Sequence, residues 1–218
     1  MSKAVMISVK PKWCELIANG KKTIEVRKSR PKIETPFKCY IYCTKGDYPI
    51  FNLRKITTES NPYHLTFYNQ KVIGECVCND ISKFTAEFTD GKTNYEDIRY
   101  CYFDEYEEEQ EMIVVSNEWD NPNDSWICKE SGLSFDEFKK YIGINFHDIP
   151  FYAWHISDLK IYDKPKELSQ FKKINRDCWY ADLGLAKRDC HECKNADCFF
   201  KRPPQSWCYV EMEAESNG

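Results

Sequence analysis

Glycine is scarce in this chain, at 8 of 218 residues. So little glycine, beside 15% aromatic residues, excludes a collagen-like repeat, a flexible linker and a low-complexity segment. Long apolar runs are missing too: none reaches the roughly 18–20 residues that a membrane helix needs, and no membrane partner is expected. Met1-Ser2-Lys3 leads straight into a strand-like stretch, so the expectation is a chain with no signal peptide and a cytoplasmic location. Internal repeats are absent. What remains is the composition of a soluble globular protein, 42% hydrophobic and 30% charged, long enough to bury a core without disulfides.

The net charge of -4 conceals an asymmetry. Residues 1–60 hold 13 Lys and Arg against 5 Asp and Glu, whereas residues 104–124 hold nine acids and no base. A block of like charge is ordinarily a solvated loop, and here it also offers a surface for a protein partner. The basic excess is interleaved with strand-like sequence, so it can form a patch for a polyanion.

Hydrophobic spacing gives the elements. Ala4 to Val9 reads as a strand, and Pro11 opens a short helix through Trp13, Leu16 and Ile17 that stops at Gly20. Lys22 to Lys28 reads as a strand in which Glu25 and Arg27 share a face. Phe37 to Thr44 and Val72 to Cys78 are further strands. Gly74 within the second suggests a bulge or a close approach that leaves room beside Glu75 for a ligand. Residues 82–124 are polar and irregular, with a strand-like piece at 113–115. Ser134 and Glu137 form a capping box ahead of a helix, and Phe151 to Tyr162 is a long aromatic strand. The order β-α-β-β-β-insert-α-β predicts an α+β fold, a small mixed β-barrel or curled sheet with two helices. Trp207 and Tyr209 fall on one face of a last short strand.

Gly20-Lys21-Lys22-Thr23-Ile24-Glu25-Val26-Arg27 fits the pattern Gly-x-Lys-x-x-Glu-x-Arg. It resembles the signature of ASCH domains, members of the PUA-like superfamily, and the order of elements around it is similar to theirs. The resemblance spans residues 1–163, with insertions near 45–70 and 84–125. It leaves 164–218 as an irregular, Cys-rich extension like those on phage- or Firmicutes-type members. It implies a PUA-like small mixed β-barrel with flanking short helices, and an RNA or modified-nucleoside ligand.

Residue chemistry points the same way. Lys22 and Arg27 supply donors for a phosphate or base carbonyl, and Glu25 accepts from an exocyclic amine. Glu75 and Trp13 join them as candidate ligand-binding residues, with Trp13 as a stacking surface or part of the core. The bland alternative is that Glu25 and Arg27 make a surface ion pair of little worth. A bacterial branch of the family hydrolyses the acetyl amide of N4-acetylcytidine with a Lys, a Thr and a Glu. The resemblance places Lys22 at the Lys, Glu25 where those enzymes have Thr, and Glu130 near the Glu. Lys22, Glu25 and Glu130 are therefore the candidate catalytic residues if the protein is an amidohydrolase-like enzyme. His155 reads as structural.

Twelve cysteines in a reducing compartment are buried thiols, metal ligands or catalytic groups. Cys39, Cys43, Cys76 and Cys78 sit in strand patterns and behave as small hydrophobes. Cys190 and Cys193 form a Cys-x-x-Cys turn. With Cys178 and Cys198 they make a candidate structural zinc site, the alternatives being free thiols or a redox pair.

Overall fold

The computed structural model describes residues 3–50, 67–88, 98–103, 109–115, 125–142, 150–174 and 198–211. Its elements are β1 (Lys3–Val9), α1 (Pro11–Ala18), β2 (Ile24–Arg27), β3 (Phe37–Cys43), β4 (Lys71–Phe88), β5 (Ile98–Phe103), β6 (Glu109–Val115), α2 (Trp126–Ser131), α3 (Phe135–Ile142), β7 (Phe151–Glu167) and β8 (Trp207–Glu211). No helix among the described residues is long and apolar enough to cross a membrane. The chain divides into two compact units. One comprises residues 1–11, 37–76 and 160–218, and the other comprises residues 12–36 and 77–159. Strands β4 and β7 contribute to both.

In the first unit β1 pairs parallel with β3, from Val5 opposite Cys39 to Val9 opposite Cys43. A parallel pair needs a crossover, and the chain between them supplies α1 and β2. On its other side β1 pairs antiparallel with β8. Ala4, Met6, Tyr40, Tyr42, Val72, Phe171, Phe200 and Val210 form the core. Cys39, Cys43 and Cys76 here, and Cys78 in the other unit, are buried thiols in no disulfide, as small hydrophobes should be. Trp207 and Tyr209 meet edge to face at 5.5 Å, as their shared face requires.

Gly74 does mark a close approach, but the space is already filled. A methyl group there would collide with the Lys160 main-chain carbonyl. The room expected beside Glu75 for a ligand is occupied by the backbone of β7.

In the second unit β2 pairs antiparallel with β7, Ile24 opposite His155 and Arg27 opposite Tyr152. Ile24 and Val26 turn one way and join Ile127, Cys128, Phe135, Phe138, Phe151 and Ala153 in a core. That core is the reason for α2, a helix the sequence reading did not anticipate. It closes at Gly132, whose φ of 66° suits a left-handed cap and whose amide donates to the Lys129 carbonyl. The capping box of α3 forms as expected: the Ser134 amide donates to Glu137 Oε2 at 3.0 Å and the Glu137 amide to Ser134 Oγ at 3.2 Å. The segment 82–124 is less irregular than expected. Strand β4 runs on to Phe88, and β5 and β6 add an antiparallel pair beside it. These are backbone ladders, which a polar sequence can form without an apolar pattern to announce them.

The architecture is α+β, a mixed sheet with a few short helices. One expectation needs correction. In neither unit do the described strands close into a barrel, because the pairing path is open, with β2 at one end and β8 at the other.

Candidate functional site

Lys22, Glu25 and Arg27 come together within the second unit. Lys22 stands just before β2, on the turn that follows α1. The Gly20 amide donates to the Ile17 carbonyl, and the Lys21 and Lys22 amides donate to that of Leu16. The Thr23 amide donates to the Glu130 carbonyl at 2.9 Å, which fixes the entry to β2 against the end of α2. From there the Lys22 ammonium donates to the Ser131 carbonyl at 2.8 Å. The last carbonyls of a helix lack intrahelical partners and attract a cation.

The same ammonium lies 3.1 Å from Glu25 Oε2, and Glu25 Oε1 lies 2.9 Å from Arg27 Nη2. The result is one chain of alternating charge, cation–anion–cation. Side-chain exposures are 3%, 11% and 8% along it. This is not the surface pair of the bland reading. Glu25 Oε2, though close to the ammonium, has no hydrogen-bond partner among the described residues. Burial drives the Lys22 ammonium below its ordinary value of 10.5. Glu25 offsets part of that shift, and the nearby Arg27 charge adds to it.

Trp13 is half-buried beside this chain. The Lys22 ammonium lies 5.7 Å from its ring centroid and the Lys12 ammonium 4.3 Å. Lys12 is itself paired with Glu137 at 2.8 Å. Cations are thus already disposed over the ring that was expected to stack a base.

Glu130 supplies its main-chain carbonyl, but its carboxylate makes no ion pair or hydrogen bond among the described residues. Glu75 lies in the first unit. Burial would raise its carboxyl, but a hydrogen bond from the Tyr162 hydroxyl at 2.6 Å and the Lys38 ammonium at 3.1 Å outweigh that and hold it below the usual range.

Two neighbours were missed by sequence reasoning. Ser131 acts through its carbonyl, which no side-chain pattern reveals. Tyr141, exposed on α3, feels the charges of both Glu25 and Arg27, although burial is the larger cause of its raised hydroxyl.

Of the proposed zinc ligands, Cys178, Cys190 and Cys193 lie outside the described residues, and Cys198 is buried in the first unit. The acidic insert read as a protein-binding surface lies largely outside them too.

Comparison with known proteins gives a family match and a set of similar folds. The family model of the ASCH domain matches residues 7–131. None of the curated proteins compared matches the chain significantly. Among solved structures, ASCH from Zymomonas mobilis is 18% identical, with a TM-score of 0.42, 95% of this chain covered and 87% of the other. A serine-to-alanine mutant of that protein gives 17% identity and a TM-score of 0.42, with 95% and 88% covered. With more than half its length matched and the motif residues in place at the start of β2, this chain belongs to the ASCH domain family, a PUA-like family proposed to bind RNA.

Proposed function

We propose that the protein binds RNA, or a modified nucleobase or nucleoside, at the site built from Lys22, Glu25 and Arg27. The supporting observation is the buried alternating-charge chain of Lys22, Glu25 and Arg27. Removing three charges from water costs stability that their mutual attraction does not fully return. Such an arrangement is what a recognition site needs, since fixed donors and acceptors lose little freedom when a polar planar ligand docks. In this reading Glu25 accepts from an exocyclic amine, Arg27 donates to a base carbonyl or a phosphate, and Lys22 holds Glu25 in place from the Ser131 carbonyl.

The test is titration calorimetry of the purified protein with short RNAs and a panel of modified nucleosides. Glu25→Gln keeps the shape and loses the charge, and is expected to weaken ligands with an exocyclic amine by about tenfold, the scale of one charged hydrogen bond. A ligand set bound equally well by the wild type and Glu25→Gln would count against this assignment.

A second reading, that the protein hydrolyses a modified base, is favoured by one observation, the downward displacement of the Lys22 ammonium by burial. A lysine that loses its proton more easily is a better general base. Turnover would then rise with pH along a limb set by Lys22, below 10.5, and Lys22→Ala would remove that limb. A pH–rate profile on N4-acetylcytidine distinguishes this reading from simple binding, for which no turnover is expected. Glu25, standing where the amidohydrolases have threonine, makes binding the preferred reading.

For the tail we propose that Cys190 and Cys193, with Cys178 and Cys198, hold a structural zinc ion. About one zinc per chain is expected in protein purified without chelator. A zinc-free, fully folded preparation would remove the proposal.

A further inference from the structure

A second polar cluster lies within the same unit, on residues that the motif does not include. Strand β7 brings His155 opposite Ile24, so by strand alternation His155 faces the α2 side, away from Glu25 and its partner Trp154. His155 Nε2 and the buried Ser82 hydroxyl share a hydrogen bond of 2.8 Å. The ring lies nearly parallel to Trp126, at 26° with centroids 6.5 Å apart. Asp80 completes the group. Its Oδ1 accepts the Ile81 amide at 2.7 Å, which leaves Oδ2 directed to the cluster, 4.0 Å from His155 Nε2.

This is not a nucleophile with its base. Ser82 is buried, with its hydroxyl held by the ring. Asp80 also approaches the same ring nitrogen as Ser82, rather than the other one, where an orienting carboxylate would sit. The accessible parts are different: the His155 ring, its Nδ1 with no partner among the described residues, the partly buried Trp126 ring and the half-exposed Asp80 carboxylate. Together they offer two near-parallel aromatic faces beside a hydrogen-bond acceptor carrying negative charge.

We propose that Trp126, His155 and Asp80 form a second nucleobase subsite. It takes another unpaired base of a strand held at Lys22, Glu25 and Arg27, and it prefers a base with an exocyclic amine. The proposal rests on the nucleic-acid reading above. Stacking on aromatic rings tolerates any base. Asp80 adds selection, since it accepts from the amine of cytosine or adenine and repels the carbonyls of uracil, as it repels phosphate. Trp126 begins α2 and Ser131, whose carbonyl accepts from Lys22, ends it, so one short helix serves both sites.

The experiment measures binding of fluorescein-labelled oligo(C), oligo(A) and oligo(U) pentamers, and of single nucleosides, to the full chain. Wild-type protein is expected to bind oligo(C) and oligo(A) about tenfold more tightly than oligo(U), the scale of one charged hydrogen bond. Asp80→Asn, at an exposed position, should reduce that preference to about twofold or less. Trp126→Leu, which keeps an apolar side chain against the core, should weaken every pentamer by about tenfold, the worth of one stacked base. Neither change should alter the affinity for single nucleosides. Pentamer binding that depends on Arg27 but is indifferent to Asp80 and Trp126 would overturn the subsite alone. Absence of any nucleic-acid binding would overturn both readings.

Discussion

Replacing Lys22 with methionine is expected to lower the stability of the protein by about 3–5 kcal/mol, because it strands a buried carboxylate beside a carbonyl that has lost its donor. The midpoint of urea unfolding measures it. The loss should not come from the missing hydrocarbon, since methionine is close to lysine in length. It should come from Glu25, left with Arg27 alone at 11% exposure. A triple change, Lys22→Met with Glu25→Leu and Arg27→Met, is therefore expected to recover most of the stability, since apolar residues of similar volume often replace buried ion networks at little or no cost. Nucleic-acid binding should not return. A triple variant as unstable as Lys22→Met would show that the site's charges hold the fold rather than serve recognition.

The second large effect is expected at Phe138. It is fully buried, meets Phe151 edge to face at 5.3 Å, and belongs to the cluster that contains Ile24 and Val26. Phe138→Ala should cost about 3–5 kcal/mol, the transfer and cavity terms of an aromatic core truncation. Phe138→Leu should cost much less. The consequence reaches function because Ile24 and Val26 are the inward anchors of the strand whose next positions carry Glu25 and Arg27. Hydrogen exchange should show the β2 amides losing protection in Phe138→Ala before those of β1, which belongs to the other unit's core.

How much of this was legible beforehand follows from what each residue does. Strand alternation put Glu25 and Arg27 on one face, and a capping box fixed the start of α3. Both are local rules, readable within a few positions. The Lys22–Ser131 contact joins residues 109 apart and ends on a carbonyl, for which sequence carries no pattern. The open sheet was not legible either, because closure depends on whether the end strands meet, and the order of elements allowed a small barrel as well as a curled sheet. Gly74 was read half correctly: the approach was foreseen, but the neighbour is β7 rather than a ligand. Cluster residues such as Asp80 and Ser82 alternate on β4 like ordinary strand positions, and only pairing with β7 gives them a common purpose.

The end position of β2 has a consequence of its own. Its four residues pair with β7 on one side, and the strand stands last in the pairing order. Sheet ends are where a second copy of a chain can add a strand, and buried charges on such a strand deter that association; all four residues of β2 are buried. Glu25 and Arg27 alternate with Ile24 and Val26, so a flat, wholly apolar ribbon is never presented. The apolar triple variant, restored in folding, is thus expected to self-associate at concentrations where the wild type stays dispersed. Light scattering would register this even where no ligand is present.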